Sequence, residues 1–211
     1  GLEQLEALPG GALLHKKSLI LRPRQLLPAL LDGIDMAWST ETEVDPHART
    51  VNGVVYDTVI FANGAGLLTA RPDLDLTGRL GQVDWMQSEN AAAVETLSPY
   101  WMKDALLGPV KSRAGVRATT ADRLPLIGAL VDNAAMIADR QMLERAGWKI
   151  APDAYSIPGI FLVGGLGSRG FTWAPWAASL ISAEVFRAPS PATVETHRAI
   201  VPNRQILRIL K

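Results

Sequence analysis

Four glycines and one arginine fall within seven positions at Gly164-Gly165-Leu166-Gly167-Ser168-Arg169-Gly170. An apolar run, Ile160 to Val163, enters this stretch, and Ala174 to Phe186, helix-like in composition, leaves it. Glycines at such density let a backbone take φ > 0 or approach a ligand closely. Thr172 is a suitable N-cap, and Pro175 then falls in the first helical turn, where its missing N–H costs little. The free amides of a helix start favour negative charge. Two readings stay open for this stretch: a cofactor-facing loop, or a tight strand-to-helix connection whose glycines serve packing alone. A second glycine-rich turn, Asn63-Gly64-Ala65-Gly66, follows the apolar run Tyr56 to Ala62, and ligands of open α/β sheets gather at such carboxyl ends of strands. A third stretch, Lys111 to Thr120, alternates and carries Lys111, Arg113 and Arg117. His15, His47 and His197 are scattered without metal spacing, and the absence of cysteine excludes thiolate chemistry and disulfides. No Ser-His-Asp arrangement and no carboxylate pair stands out.

The elements that must position these residues are read from periodicity. Tyr56–Ala62 has the pattern of a fully buried central strand. Thr42–Asp57 alternates around Asn52-Gly53, a hairpin signal. Pro23 opens a helix to about Leu31, with Leu26, Leu27, Leu30 and Leu31 as its buried stripe, closed by Asp32-Gly33. Gly10–Leu14 reads as a turn feeding a strand, Ser18–Leu21 as extended, and Ile34–Trp38 as a strand. Arg79–Met86 reads as a strand broken by Gly81, Pro99–Met102 as weak strand, and Asp132–Ala146 as a helix. A connector at Ala188–Pro191 leads to a basic tail, Ala192–Lys211, with His197, Arg198, Arg204, Arg208 and Lys211. With 48% hydrophobic residues the 211-residue chain has ample core material. Its 21 basic residues equal its 21 acidic ones, so no global field draws it to nucleic acid or membrane. No apolar run is long enough for a membrane span and no signal-peptide layout is present. The cysteine-free composition fits a reducing, cytoplasmic setting.

Three stretches taken together, VIFANGAG (59–66), GVRATTADRLPLIG (115–128) and PGIFLVGGLGSRGFTWAPWAASLIS (158–182), resemble the second half of the D-amino-acid-oxidase-type flavoproteins. Within that family the second stretch, the LGSRGFTWAP loop and Pro202-Asn203-Arg204 are similar to the C-terminal oxidase domain of tRNA wobble-uridine modification enzymes. The resemblance spans about Leu13 to Arg208. It implies a mixed α/β fold: a partial FAD-binding, Rossmann-like domain with an antiparallel-sheet substrate domain. The implied division is 1–77 and 129–187 for the FAD-binding part, with the end of a substrate-domain strand at 10–21, then 78–128 for the substrate sheet and 188–211 for the tail. The family's N-terminal strand–GxGxxG–helix, which holds the FAD pyrophosphate, has no counterpart in residues 1–60. The expectation is therefore a C-terminal portion of a longer FAD enzyme, with the missing N-terminal part of the same polypeptide as a partner.

The resemblance also implies site roles. Asn63, Gly64, Ala65, Gln82, Gly165, Gly167, Ser168, Arg169, Gly170, Phe171 and Thr172 are expected near FAD. Arg117 and Arg169 are expected to hold a substrate carboxylate, since a guanidinium forks onto a carboxylate bidentately. The bland alternatives are a strand Arg117 paired with Asp122 or solvated, a structural salt bridge for Arg169, and a buried structural amide for Gln82. Trp85, Trp101 and Trp173 are either pocket walls or core. The implied reaction removes the carboxymethyl group from 5-carboxymethylaminomethyl-(2-thio)uridine in tRNA. A glycine- or sarcosine-type small amino-acid oxidase and a non-catalytic piece with an incomplete flavin site are the rivals. The Lys111/Arg113/Arg117 strand and the basic tail read either as an RNA-facing patch or as solvated faces. No metal is expected.

Overall fold

Alternating apolar residues on both faces of a strand call for cover on both sides, and residues 126–164 meet that demand. The structure is a computed structural model. It describes residues 5–7, 13–15, 21–38, 41–86, 110–147, 149, 151 and 153–210. The chain divides into two units, Gly1–Glu41 and Thr42–Lys211.

In the first unit, β1 (Leu5–Ala7) pairs antiparallel with β2 (Leu13–His15), and α1 spans Pro23–Leu30 with Pro23 in its first turn. Gly33 follows with φ +75°, where an L side chain would be strained. The predicted leucine stripe is not buried: Leu27, Leu30 and Leu31 are exposed. Ile34–Trp38 forms no strand, because no other described strand pairs with it, and Trp38 is 91% exposed. The Ser18–Leu21 prediction lies outside the described residues except for Leu21.

The second unit begins with a meander of β3 (Val44–Asp45), β4 (Thr50–Val51) and β5 (Val54–Val55). Asn52 (φ 50°) and Gly53 (φ 79°) form the β4–β5 turn, the two left-handed residues that a type I′ hairpin requires. The principal sheet has the order β6 (Val59–Phe61), β10 (Ser156–Gly164), β9 (Leu126–Val131). Strand β6 runs parallel to β10, and β9 runs antiparallel to it. The predicted central strand at Tyr56–Ala62 is therefore an edge strand among the described residues, with Ile60 49% exposed. The centre belongs to β10. Its Ile160 and Leu162 join Leu126 and Leu130 of β9 on one face, over Leu67 and Leu74. Phe161 and Ile127 lie on the other face, against Ala177, Leu180 and Ile181 of the long helix α5 (Gly170–Val185). Leu67 opens α2 (Leu67–Ala70), and a Cβ on Gly164 would overlap its side chain.

The other large element is a two-stranded ribbon, β7 (Thr77–Met86) with β8 (Val110–Thr119), paired antiparallel over ten positions. Gly81 does not break β7; it pairs opposite Gly115. The predicted helix at Asp132–Ala146 is two short ones, α3 (Asn133–Ala138) and α4 (Arg140–Arg145). Asp132 caps the first by accepting from the Ala135 amide at 3.0 Å. The basic tail folds into α6 (Val194–Ile200) and α7 (Asn203–Leu210). It is no solvated appendage: Val201, Gln205, Ile206 and Leu210 are buried, and Ile206 and Leu210 pack with Met136 and Leu143. The fold is mixed α/β with several small sheets, and no helix of the described residues is long and apolar enough to cross a membrane. The weak strand predicted at Pro99–Met102, and Trp101 with it, lie outside the described residues.

Candidate functional site

Parallel pairing fixes where the two glycine turns emerge. Leu162 of β10 pairs with Phe61 of β6, so Asn63–Gly66 and Gly164–Gly170 leave the same edge of the sheet. The antiparallel partner Leu126 lies opposite Gly164, which brings the β8–β9 turn, Thr120–Pro125, to that edge as well. Thr119 at the end of β8 bridges to Leu166, and the Gly167 amide donates to the Ala118 carbonyl at 3.2 Å. A cleft of about 650 Å³ results, lined by residues of β7 and β8, by the β8–β9 turn, and by the glycine loop from Gly165 to Arg169.

The glycines of the loop are accounted for first by packing. Gly165 (φ +64°) and Gly167 (φ +56°) take backbone angles that L side chains rarely adopt. A Cβ on either would come within 3.2 Å of a threonine methyl, Thr120 and Thr119 respectively. Gly170 is different: a Cβ there would meet nothing within 4 Å, so the start of α5 faces open space. The helix begins earlier than predicted, with Arg169 rather than Thr172 at the N-cap. The cause is local hydrogen bonding, in which the Arg169 carbonyl already accepts from the Thr172 and Trp173 amides at 3.0 and 2.9 Å. The Thr172 amide is thus committed inside the protein, and Pro175 lies within the helix rather than in its first turn. Phe171 is 46% exposed.

At the other turn, Gly64–Gly66 forms a short 3-10 turn closed by the Gly66 amide on the Asn63 carbonyl at 3.0 Å. The turn packs beside β8, and the Asn63 side chain folds back over Gly66.

Strand register sorts the ribbon candidates by face. Arg79 stands directly opposite Arg117, and both share a face with Thr77, Gly81 and Thr119. Gln82, opposite Ala114, has the other parity and projects from the opposite face. It is exposed, so the buried-amide reading fails. The Arg117 guanidinium lies over Gly81, where a Cβ would overlap it. Glycine at 81 is therefore what lets the arginine lie flat along the ribbon. Arg117 is not paired with Asp122, and Arg169 is in no salt bridge among the described residues. Trp173 packs against Trp176 with ring centroids 5.7 Å apart.

Two cleft arginines escape sequence reading. Arg79 and Arg123 line the cleft with Arg169. Alternation alone does not reveal Arg79, because the β7–β8 register decides which residues meet. Arg123 sits at φ 62° in a turn, a conformation with no sequence signal beyond the flanking Asp and Pro. Its neighbour Asp122 is turned away from it. That carboxylate accepts from Arg204 at 2.7 Å, Arg208 at 3.1 Å and the Leu124 amide at 3.0 Å, with the Thr120 hydroxyl at 2.8 Å. Burial opposes its ionisation, but the Leu124 and Thr120 hydrogen bonds and the two guanidinium charges prevail and hold it below the ordinary carboxylate range. Arg204 also donates to the Leu124 and Pro125 carbonyls, at 3.0 and 3.1 Å, which ties α7 to the lip of the cleft.

The open helix start, the glycine backbone and the arginines, which have no carboxylate partner among the described residues, suit a group that carries or develops negative charge. Among the described residues no cluster of three His, Asp or Glu side chains offers a metal site.

No protein-family model matches the chain. Over 157 residues, 72% of its length, the chain is 36% identical to the tRNA 5-methylaminomethyl-2-thiouridine biosynthesis bifunctional protein MnmC of Burkholderia mallei strain SAVP1. The protein of the same name from Burkholderia pseudomallei strain 668 matches equally. The match covers 23% of each relative, so the chain spans under a quarter of their length. An identity of this size over most of the chain supports an MnmC-type relationship.

Proposed function

We propose that the chain is the ring-end half of an FAD-dependent oxidase site acting on CH–NH groups, within a longer tRNA wobble-uridine modification enzyme. The convergence of both glycine turns and the arginine-lined cleft on one sheet edge carries this reading. The MnmC relationship supports tRNA as the substrate. Gly165, Gly167, Ser168, Arg169, Gly170 and Phe171 would border the flavin ring from one side, and Asn63, Gly64 and Ala65 from the neighbouring strand end. Gln82, on the opposite face of the ribbon, has the weakest support as a flavin contact.

A bound flavin supplies the hydride acceptor for a C–H bond beside a neutral amine. The chain's own residues bind and orient. Arg117, with Arg169 at the helix start, would fork onto the carboxylate of the N-substituted glycine and hold its methylene in place. The amides of Gly170 and Phe171 would favour negative charge arising near them. Loss of two electrons and two protons from –CH2–NH–CH2–COO⁻ gives the imine –CH2–N=CH–COO⁻. Water then splits this into the aminomethyl nucleoside and glyoxylate.

Arg117→Leu in the parent polypeptide tests the assignment. The expected result is a retained flavin spectrum with substrate affinity lowered tenfold or more. Unchanged affinity removes Arg117 from the site. Cells lacking the parent gene should accumulate the 5-carboxymethylaminomethyl nucleoside; an unaltered wobble profile refutes the tRNA assignment.

A further inference from the structure

We infer that Arg204, on α7 and outside the cleft, is a positioning residue: through the Thr120–Pro125 turn it holds Gly164 and Gly165 in place, and so sets the glycine loop that the oxidase reading puts against the flavin. The inference rests on that reading. The Arg204 guanidinium gathers three acceptors of one turn, the Asp122 carboxylate at 2.7 Å and the Leu124 and Pro125 carbonyls at 3.0 and 3.1 Å. Two routes lead from that turn to the loop. In the first, the Asp122 carboxylate and the Leu124 carbonyl lie 2.8 and 2.6 Å from the Thr120 hydroxyl, which shares its one proton between them. A hydroxyl held from two sides confines this buried, β-branched residue to one χ1 well. That well turns the Thr120 methyl toward Gly165, where it stands 3.2 Å from the place of an added Cβ. In the second, the tethered Pro125 carbonyl fixes the peptide leading into Leu126, the residue paired with Gly164 across the sheet.

Anchoring α7 does not require this guanidinium, because Ile206 and Leu210 already pack the helix with Met136 and Leu143. Burying a guanidinium is costly, and Arg204 Nε has no hydrogen-bond partner among the described residues. An apolar side chain would seat the helix at a smaller desolvation cost. What arginine adds is direction: its rigid fork reaches a carboxylate and two carbonyls at once, which the point charge of a lysine cannot copy. The loop's own tie to the ribbon, the Gly167 amide on the Ala118 carbonyl, lies two residues before Thr120. Turn and loop therefore share one stretch of backbone, and loosening the first loosens the second.

The test combines amide hydrogen exchange of the 211-residue chain with turnover of the flavin-loaded parent on tRNA bearing the 5-carboxymethylaminomethyl nucleoside. Arg204→Met keeps an unbranched apolar stem and removes the fork. Thr120→Ser keeps the hydroxyl and deletes only the methyl facing Gly165, so it probes the first route with little risk to folding. In both variants exchange at residues 164–170 should rise about tenfold or more relative to residues 156–163 of β10. A merely structural role raises the two stretches together. Arg208→Ala, which removes an exposed partner of the same carboxylate, should leave loop exchange unchanged. In the parent, Arg204→Met should lower kcat about tenfold or more and raise KM less than about threefold, since Arg117 on the ribbon still binds the carboxylate. Loop exchange that merely follows β10 in Arg204→Met and Thr120→Ser overturns the inference. So does a loosened loop with kcat unchanged, a result that leaves the oxidase reading standing. A wild-type parent whose flavin that tRNA does not reduce refutes the oxidase reading and overturns the inference through it; the exchange arm tells the two failures apart.

Discussion

Asp122→Ala should be among the most damaging single changes at the edge of the site, although the residue lies on a turn. The substitution removes four interactions at once: those from the Arg204 and Arg208 guanidiniums, the Leu124 amide and the Thr120 hydroxyl. They are unequal. Arg208 has a side chain 51% exposed, and an exposed pair contributes at most about 1 kcal/mol. The Leu124 amide sits beside solvent and regains water. The Arg204 side chain is only 12% exposed, and removing one partner of a buried pair costs about 3–5 kcal/mol. Two carbonyls still hold Arg204 and the Asp122 side chain is itself 30% exposed, so the loss of this pair falls below that range, and a total of about 2–4 kcal/mol is expected. For a domain of this size about 1 kcal/mol moves the melting temperature by roughly 2–4 °C, so Tm should fall by roughly 4–16 °C. Urea denaturation and calorimetry of Asp122→Ala, Arg204→Ala, the double variant and Arg208→Ala provide the measurement. The double variant should cost little more than Asp122→Ala alone, and Arg208→Ala should stay within about 1 kcal/mol of wild type. An Asp122→Ala protein within about 0.5 kcal/mol of wild type would refute the clamp.

The same carboxylate sets an acid limit. Its folded pKa lies below its ordinary value of 3.8, so its contribution is fully present above that value and lost as pH falls through the folded one. Asp73 behaves alike: burial opposes its ionisation, while the hydrogen bonds and charge of Arg71 and the Asn133 amide outweigh it. Urea midpoints should therefore drop below about pH 4, and Asp122→Asn should flatten that drop. A midpoint that does not change between pH 5 and pH 3 contradicts both assignments. Gly81→Ala should push the Arg117 guanidinium off the ribbon while costing less than about 1 kcal/mol, because the group that must yield is the end of a flexible side chain. Substrate KM in the flavin-loaded parent should rise with stability nearly unchanged; an unaltered KM would show that Arg117 acts from another position.

What could be read in advance was whatever is encoded locally. The Asn52-Gly53 turn needs two left-handed residues and has them side by side. Pro23 opens α1 where its missing N–H is harmless. Non-local pairing was hidden. The apolar run at Tyr56–Ala62 does contain a strand, but its edge position depends on β10 winning the centre, a contest decided far along the chain. Ile34–Trp38 has strand composition and no described strand to pair with. The Asp132–Ala146 helix splits because Asp139 serves as C-cap to one helix and N-cap to the next. In the site, the glycine loop was legible from composition alone. Arg79 and Arg123 were not: one depends on a ten-pair register, the other on Asp122 turning toward α7.

The parallel pairing of β6 with β10 also bears on how the chain assembles. Ile60 meets Phe161, about a hundred positions later, and closing such a loop costs about 4 kcal/mol in chain entropy, roughly 1 kcal/mol more than bringing β9 to β10. The β9–β10 pair and the β7–β8 ribbon should therefore form before β6 docks. On the ribosome, at roughly 5–20 residues per second, β6 waits about 5–20 s for its partner strand to be made. During that interval Val59-Ile60-Phe61 presents an unpaired apolar edge, which makes this short strand the point where a chaperone or a neighbouring nascent chain would first take hold.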